Sequence, residues 1–126
     1  FEPVVVDSMS SGVRSFVPEE VPVYQLSILQ TEKLVEIMKR HEVTGVIHLA
    51  GYKYAGESVK HPLLAFEQNA TGTAHLLEAM ATARVHNMVF SSSAAVYGTP
   101  AEDVVTETTG TFPESPYGQS KLMGEW

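Results

Sequence analysis

Short, apolar, β-branched runs alternate along the chain with longer stretches in which apolar residues recur every three or four positions. Val4-Val5-Val6 ends at Asp7 and gives way to a serine-rich loop, Ser8 to Val17, that contains Gly12. Val21 to Leu26 reads as a second strand, which Pro22 restricts to a strand start or an edge. Val46 to Ala50 stops at Gly51, and Asn87 to Ser91 opens into Ser92, Ser93, Ala94 and Ala95. Runs of this kind suit strands of a parallel sheet covered on both faces.

Between them the pattern is helical. Thr31 to His41 places Leu34, Val35, Ile37 and Met38 on one face, with Glu32, Lys33, Glu36, Lys39 and Arg40 outside it and Thr31 as the expected N-cap. Pro62 to Arg84 is predicted as one long helix whose stripe from Leu63 through Leu64, Phe66, Ala70, Ala74 and Leu77 to Met80 is core. Gly72 within it predicts close packing, because an unforced helical glycine costs about 1 kcal/mol. Pro116 to Trp126 begins another helix, with proline at a tolerated first-turn position. Strands alternating with helices predict βαβ units and an α/β fold, a Rossmann-like doubly wound parallel sheet. Thr99 to Ser115 is the one long irregular segment, and loops of that length are often functional.

Composition narrows the function classes. The chain has 126 residues, with 15 acidic against 8 basic side chains and a formal net charge of −7. That length suits one domain with a single core. The acidic balance argues against a nucleic-acid partner, whose phosphates require a basic face. No apolar run approaches the roughly 18 residues of a membrane span, and the first residues lack the pattern of a signal peptide. Zero cysteines exclude disulfides and fit a reducing compartment, so a cytoplasmic protein is expected. A Gly-x-Gly-x-x-Gly turn, which would cradle a pyrophosphate, is absent. The sheet is therefore expected to be incomplete, with its first strand missing, and the chain, which stops at Trp126 within an apparent helix, is expected to be an internal piece of a larger protein. Such a piece, isolated, is expected to be inactive and poorly folded. Asp7 at a strand end reads either as a solvated turn acid or as the acid that binds an adenosine ribose.

The pattern with most chemistry is Tyr117-Gly118-Gln119-Ser120-Lys121. Residues four apart share a helix face, with Cβ atoms about 5–6 Å apart. A free tyrosine ionises near pH 10, and an ammonium beside a phenol favours the anionic form needed for base catalysis. Alone, a Tyr-x-x-x-Lys occurs often by chance. Ser91-Ser92-Ser93, however, closes a strand at the carboxyl edge of the sheet, where doubly wound folds bind ligands. A hydroxyl there either satisfies backbone groups or binds and polarises a substrate oxygen. No Gly-x-Ser-x-Gly surrounds these serines, so a hydrolase nucleophile is not expected. His48 reads as a packed core histidine. His41, His61, His75 and His86 lack metal-ligand spacing, so no metal is expected. Glu102, Asp103, Glu107 and Glu114 read as a solvated loop edge.

Three segments together carry a resemblance. Val46-Ile47-His48-Leu49-Ala50-Gly51-Tyr52-Lys53 followed by Gly56-Glu57-Ser58-Val59, then Phe90 to Gly98, then Ser115 to Met123, occur in the order and spacing of the extended short-chain dehydrogenase/reductases. Within that family the chain resembles the sugar-nucleotide 4-epimerases, the match being weakest from Ser8 to Gln30. The resemblance implies that residues 1–126 are a partial NAD-binding domain, with a C-terminal substrate region missing. The resemblance implies interconversion of UDP-glucose and UDP-galactose through a 4-keto intermediate with bound NAD, a UDP-hexose substrate and a homodimer.

By position, the resemblance implies Tyr117 as the base, Ser93 as its assistant, and Lys121 as the group that binds the nicotinamide ribose and promotes ionisation of the tyrosine. It implies that Leu49, Ala50, Gly51, Tyr52 and Lys53 line the NAD site, that Asn69 reaches the cofactor, and that Asp7 and Ser8 contact the adenosine ribose. Ser93, Tyr117 and Lys121 also contact the cofactor, and Lys53, Ser93 and Tyr117 the substrate. Ser27-Ile28 stands where the family has an acid followed by isoleucine near the adenine. That departure puts the Ser27 contact in doubt and leaves Ile28. A related 4,6-dehydratase, an N-acetylhexosamine epimerase and a non-catalytic NAD-binding scaffold are the alternatives. Ala94-Ala95, in place of the Asp-Glu pair that follows the catalytic Ser/Thr in such dehydratases, weighs against the first.

Overall fold

A computed structural model describes residues 1–101 and 103–126; of the expected loop-edge acids, Glu102 lies outside the described residues. Among the described residues there are five helices, four strands and three short helical turns; one helix, at Ala55–Lys60, has no counterpart in the predicted pattern. Strands β1 (Val5–Asp7), β2 (Val23–Gln25), β3 (Gly45–His48) and β4 (Asn87–Phe90) all coincide with predicted runs. The helices are α1 (Thr31–Arg40), α2 (Ala55–Lys60), α3 (Pro62–Phe66), α4 (Gly72–Ala83) and α5 (Pro116–Glu125). The strands pair as two separate two-stranded sheets, β1 with β2 and β3 with β4. No helix among the described residues is long and apolar enough to cross a membrane.

The chain divides into two compact units. The first comprises residues 1–46 and 75–87. Here β1 and β2 run parallel in the register Val5↔Val23, Val6↔Tyr24, Asp7↔Gln25. The ladder continues through Val5 N–H to the Pro22 carbonyl at 2.9 Å, so Pro22 precedes the strand and still serves as an acceptor. Leu34, Ile37 and Met38 are buried, as the stripe of α1 requires. Gln30, not Thr31, occupies the N-cap position, with no side-chain cap bond. The Thr31 hydroxyl instead bonds His75 Nδ1 at 2.6 Å, an alternative partner that takes it out of capping.

The second unit comprises residues 47–74 and 88–126. Its interior is unusually polar. Every buried polar or charged side chain among the described residues, namely His48, Ser58, Asn69, Thr73, Ser120 and Lys121, belongs to it. Each buried side-chain nitrogen and oxygen among the described residues has a hydrogen-bond partner, as burial demands.

The long helix predicted from Pro62 to Arg84 is interrupted. A π-helical turn, Glu67–Thr71, separates α3 from α4. The predicted stripe is corrected accordingly: Leu63 is 83% exposed and Leu64 and Leu77 are also exposed, whereas Ala65, Asn69, Thr73, Leu76 and Ala79 are buried. The wider turn changes the phase of the face, and two polar residues with partners occupy positions that a purely apolar stripe passes over. Gly72 is buried at the start of α4.

Candidate active site

Helix α5 is built to present its first turn. Ser115 caps it, its Oγ accepting from Gly118 N–H at 3.1 Å, and Pro116 takes the first-turn place where a missing N–H costs nothing. Gly118 packs that turn onto the short 3₁₀ turn Ala94–Tyr97: a Cβ on Gly118 would stand 2.5 Å from the Ala95 carbonyl oxygen. Ser93 caps this 3₁₀ turn, its Oγ accepting from Ala95 N–H at 3.2 Å. With Oγ already accepting from the backbone, the Ser93 hydroxyl proton is left to donate elsewhere. The elements bearing Ser93 and Tyr117 are therefore in direct contact.

Lys121 is 6% exposed, and its Nζ donates to the Ser91 carbonyl at 2.8 Å and stands 5.0 Å from the centre of the Phe90 ring. Burial lowers its pKa from the ordinary lysine value. No carboxylate pairs with it among the described residues. Two of its three N–H donors remain for other oxygens. Ser92 Oγ bonds the Glu125 carboxylate, which fixes the far end of α5 to the same strand end.

His48 lies close by, 3% exposed, with its ring 5.5 Å from that of Phe90. Its Nε2 is 3.0 Å from Thr73 Oγ1, and the Thr73 hydroxyl donates to the Asn69 carbonyl at 2.5 Å. Since that donation uses the only proton of Thr73, Nε2 of His48 must be the donor. Burial first, and then the Lys121 charge, lower the His48 pKa to about 4. His48 is thus neutral and structural, in keeping with a packed core histidine.

The loop after β3 is held from beneath. Asn69 Oδ1 accepts from Tyr52 N–H at 2.7 Å, and Asn69 Nδ2 donates to the Tyr52 carbonyl at 3.0 Å and to Ser120 Oγ at 2.9 Å. Gly51, at φ 153°, has no space for a side chain, because a Cβ would fall 2.6 Å from Asn69 Oδ1 and 3.7 Å from Lys121 Nζ. Leu49, Ala50, Gly51 and Lys53 are exposed, with Lys53 Nζ 5.7 Å from the centre of the Tyr54 ring. Ser58 Oγ donates to the Ala55 carbonyl at 2.5 Å and accepts from Tyr117 N–H at 3.1 Å.

The second unit thus gathers Leu49, Ala50, Gly51, Lys53, Asn69, Ser93, Tyr117 and Lys121. Asp7, Ser8 and Ile28 belong to the first unit. There Asp7 Oδ1 accepts from Met9 N–H at 2.6 Å, and Gly12 approaches so closely that a Cβ would stand 2.8 Å from that oxygen. Ser8 Oγ bonds Ser10 Oγ at 3.0 Å, and Ser27 Oγ accepts from Leu29 N–H at 3.3 Å. Sequence reading missed Ser58, Thr73 and Ser120. The available signal was polar residues at helical spacing, Asn69 with Thr73 and Tyr117 with Ser120, on faces that turn inward.

Comparison with known proteins places this geometry in context. A family model described as GDP-mannose 4,6 dehydratase matches residues 5–126. The chain is 42% identical over 125 residues to a UDP-glucose 4-epimerase of Streptococcus mutans, covering 98% of this chain and 38% of that protein. It is 40% identical over 122 residues to a UDP-glucose 4-epimerase of Lactobacillus helveticus, covering 97% of this chain and 37% of the relative. The crystal structure of UDP-glucose 4-epimerase from Brucella ovis in complex with NAD superposes with a TM-score of 0.95 at 38% identity, over 99% of this chain and 38% of that one.

Proposed function

Because the chain belongs to the family described as GDP-mannose 4,6 dehydratase, whose model spans residues 5–126, we propose that it is the partial NAD-binding domain of a longer UDP-glucose 4-epimerase. The observation that carries this reading is the packing of α5 on the Ser93 turn, which gathers Ser93, Tyr117 and Lys121 at the end of β4.

The donor set fits NAD. Gly51 leaves bare backbone beside Asn69 and Lys121, the kind of close approach a dinucleotide needs. Lys121 keeps two donors for ribose hydroxyls. In the first unit, Asp7 offers carboxylate oxygens for the adenosine ribose, and Ser8 and Ile28 contact the same nucleoside. When bound, NAD supplies a reversible hydride acceptor for C4 of the hexose. Tyr117 takes the proton of the 4-hydroxyl and returns it when the opposite configuration is made. Ser93 donates its free hydroxyl proton to the same sugar oxygen. Lys121 offsets the negative charge that grows on the phenol oxygen as the proton leaves. Lys53, exposed at the loop, contacts the substrate.

The substrate is a UDP-hexose, glucose and galactose being interconverted. A 4,6-dehydratase also requires an acid and a base for loss of water, and Ala94 and Ala95 supply neither. We place the protein in the cytoplasm and read the exposed Leu63 and Leu64 as part of a homodimer surface, which sedimentation of the whole protein checks. The deciding experiment incubates the whole protein with UDP-galactose. Formation of UDP-glucose is expected; a 4-keto-6-deoxy product, or retained NAD with no C4 inversion, overturns the reading.

A further inference from the structure

Both amide protons of Asn69 are committed to the protein, one to the Tyr52 carbonyl and one to Ser120 Oγ. The orientation of the amide is fixed by its partners. Ser120, fully buried, donates its only proton to the Tyr117 carbonyl at 2.8 Å, so toward Asn69 it can only accept. A flipped amide would set Oδ1 against that lone pair and against the Tyr52 carbonyl, and would leave Tyr52 N–H facing a donor. Asn69 therefore pairs with both backbone groups of Tyr52, as a neighbouring strand would, and passes the connection through Ser120 to the first turn of α5.

We infer that Asn69 and Ser120 are positioning residues that lock the loop Leu49–Lys53 to the turn carrying Tyr117, and that Asn69 serves the bound dinucleotide through this lock rather than by donating a hydrogen bond to it. This rests on the epimerase reading of the site. Three further features agree with it. Asn69 is 3% exposed, it stands in the π-helical turn, and Gly51 packs against its Oδ1 with no room for a side chain between loop and amide. Misplacing a reacting group by about 1 Å costs on the order of 100-fold in rate. A hydrogen-bonded chain between the cofactor-lining loop and the base protects against such a displacement.

The test uses the whole protein with NAD bound and the variants Ser120→Ala, Asn69→Ala and their combination. Each single change is expected to lower kcat by about 10-fold or more with the KM for UDP-galactose unchanged, as for a misplaced base. The double variant should lose no more than the worse single one, because both break one chain. Ser120→Ala removes a single oxygen and should retain NAD, so it carries the kinetic test if Asn69→Ala does not fold. The side-chain amide protons of Asn69, followed by isotope labelling and hydrogen exchange, should be protected, and Ser120→Ala should release one of them. That readout needs no turnover: protected protons in a protein that inverts no C4 overturn the epimerase reading and leave the lock standing. Fully additive losses, wild-type kcat with a merely lowered melting temperature in Ser120→Ala, or unprotected amide protons overturn the lock. So does loss of NAD in Asn69→Ala while Ser120→Ala remains fully active.

Discussion

Lys121 reaches across from α5 to the Ser91 carbonyl, 2.8 Å away, so the strand end that leads to Ser93 also holds the ammonium. Replacing Lys121 by methionine keeps an unbranched apolar side chain at the site and removes both charge and donor. Turnover in the whole protein should fall steeply, and the residual rate should keep climbing into more alkaline solution than in the wild type, because hydroxide must replace the influence of the ammonium. The bare Ser91 acceptor should cost about 1–3 kcal/mol of stability. A pH–rate profile and a urea titration check the two effects separately.

Tyr117→Phe should reduce turnover by roughly 10²–10⁴-fold, the usual contribution of a general base. NAD should stay bound, since the ring and the backbone bonds to Ser58 and Ser120 survive. Wild-type-like turnover in this variant refutes the role.

Gly118→Ala opposes two effects. Helix propensity favours alanine by about 0.8–1 kcal/mol. The new methyl, however, would meet the Ala95 carbonyl oxygen at 2.5 Å and Pro113 Cβ at 3.0 Å. Overpacking of this kind costs about 1–3 kcal/mol, and a backbone carbonyl cannot rotate aside. The clash should win, lowering both melting temperature and kcat as Tyr117 is displaced from Ser93. An unchanged kcat shows that the two elements can separate without consequence.

His48 makes stability depend on pH. Its pKa is about 4 in the folded chain against the ordinary 6.5 when unfolded, so below pH 6.5 the unfolded chain binds a proton that the folded one refuses. The His48 contribution is therefore constant above pH 6.5 and worsens as pH falls toward 4, by about 3 kcal/mol in all. His48→Gln keeps a donor for Thr73 and cannot titrate. Urea unfolding of the two proteins should diverge in slope only between those pH values.

Asp7 should exclude a 2′-phosphate, because its carboxylate, already oriented by Met9 N–H, would face a second anion. The whole protein should bind NAD at least about 100-fold more tightly than NADP, and Asp7→Ser should narrow that gap; equal affinities in the unaltered protein would exclude the assignment.

Much of this was legible beforehand because the physics was local. Val4 to Val6 and Val46 to Ala50 announce strands through β-branched side chains, and Tyr117 with Lys121 declares a shared helix face by spacing. Helix α2 was not legible. Ala55–Lys60 has no apolar stripe and contains Gly56, and its helical turn is held by Ser58, whose hydroxyl bonds Ala55 and accepts from Tyr117 N–H. The connection from Tyr52 through Asn69 to Ser120 was hidden for a related reason: its members are brought together only by the folded chain. The stripe from Leu63 to Met80 misled because its period was read as unbroken.

That break has a consequence for how the protein tolerates length changes. Each helical residue advances the direction of its side chain by about 100°. Removing one residue from Glu67–Thr71 would join α3 and α4 into an uninterrupted helix with a more ordinary backbone, and would swing either Asn69 or the inward face at Leu76 and Ala79 by that angle. The stretch between Gly98 and Ser115 has no helix among its described residues, so an added or lost residue there shifts no helical phase. The π turn thus works as a frame setting: which positions downstream face inward depends on the residue count of Glu67–Thr71.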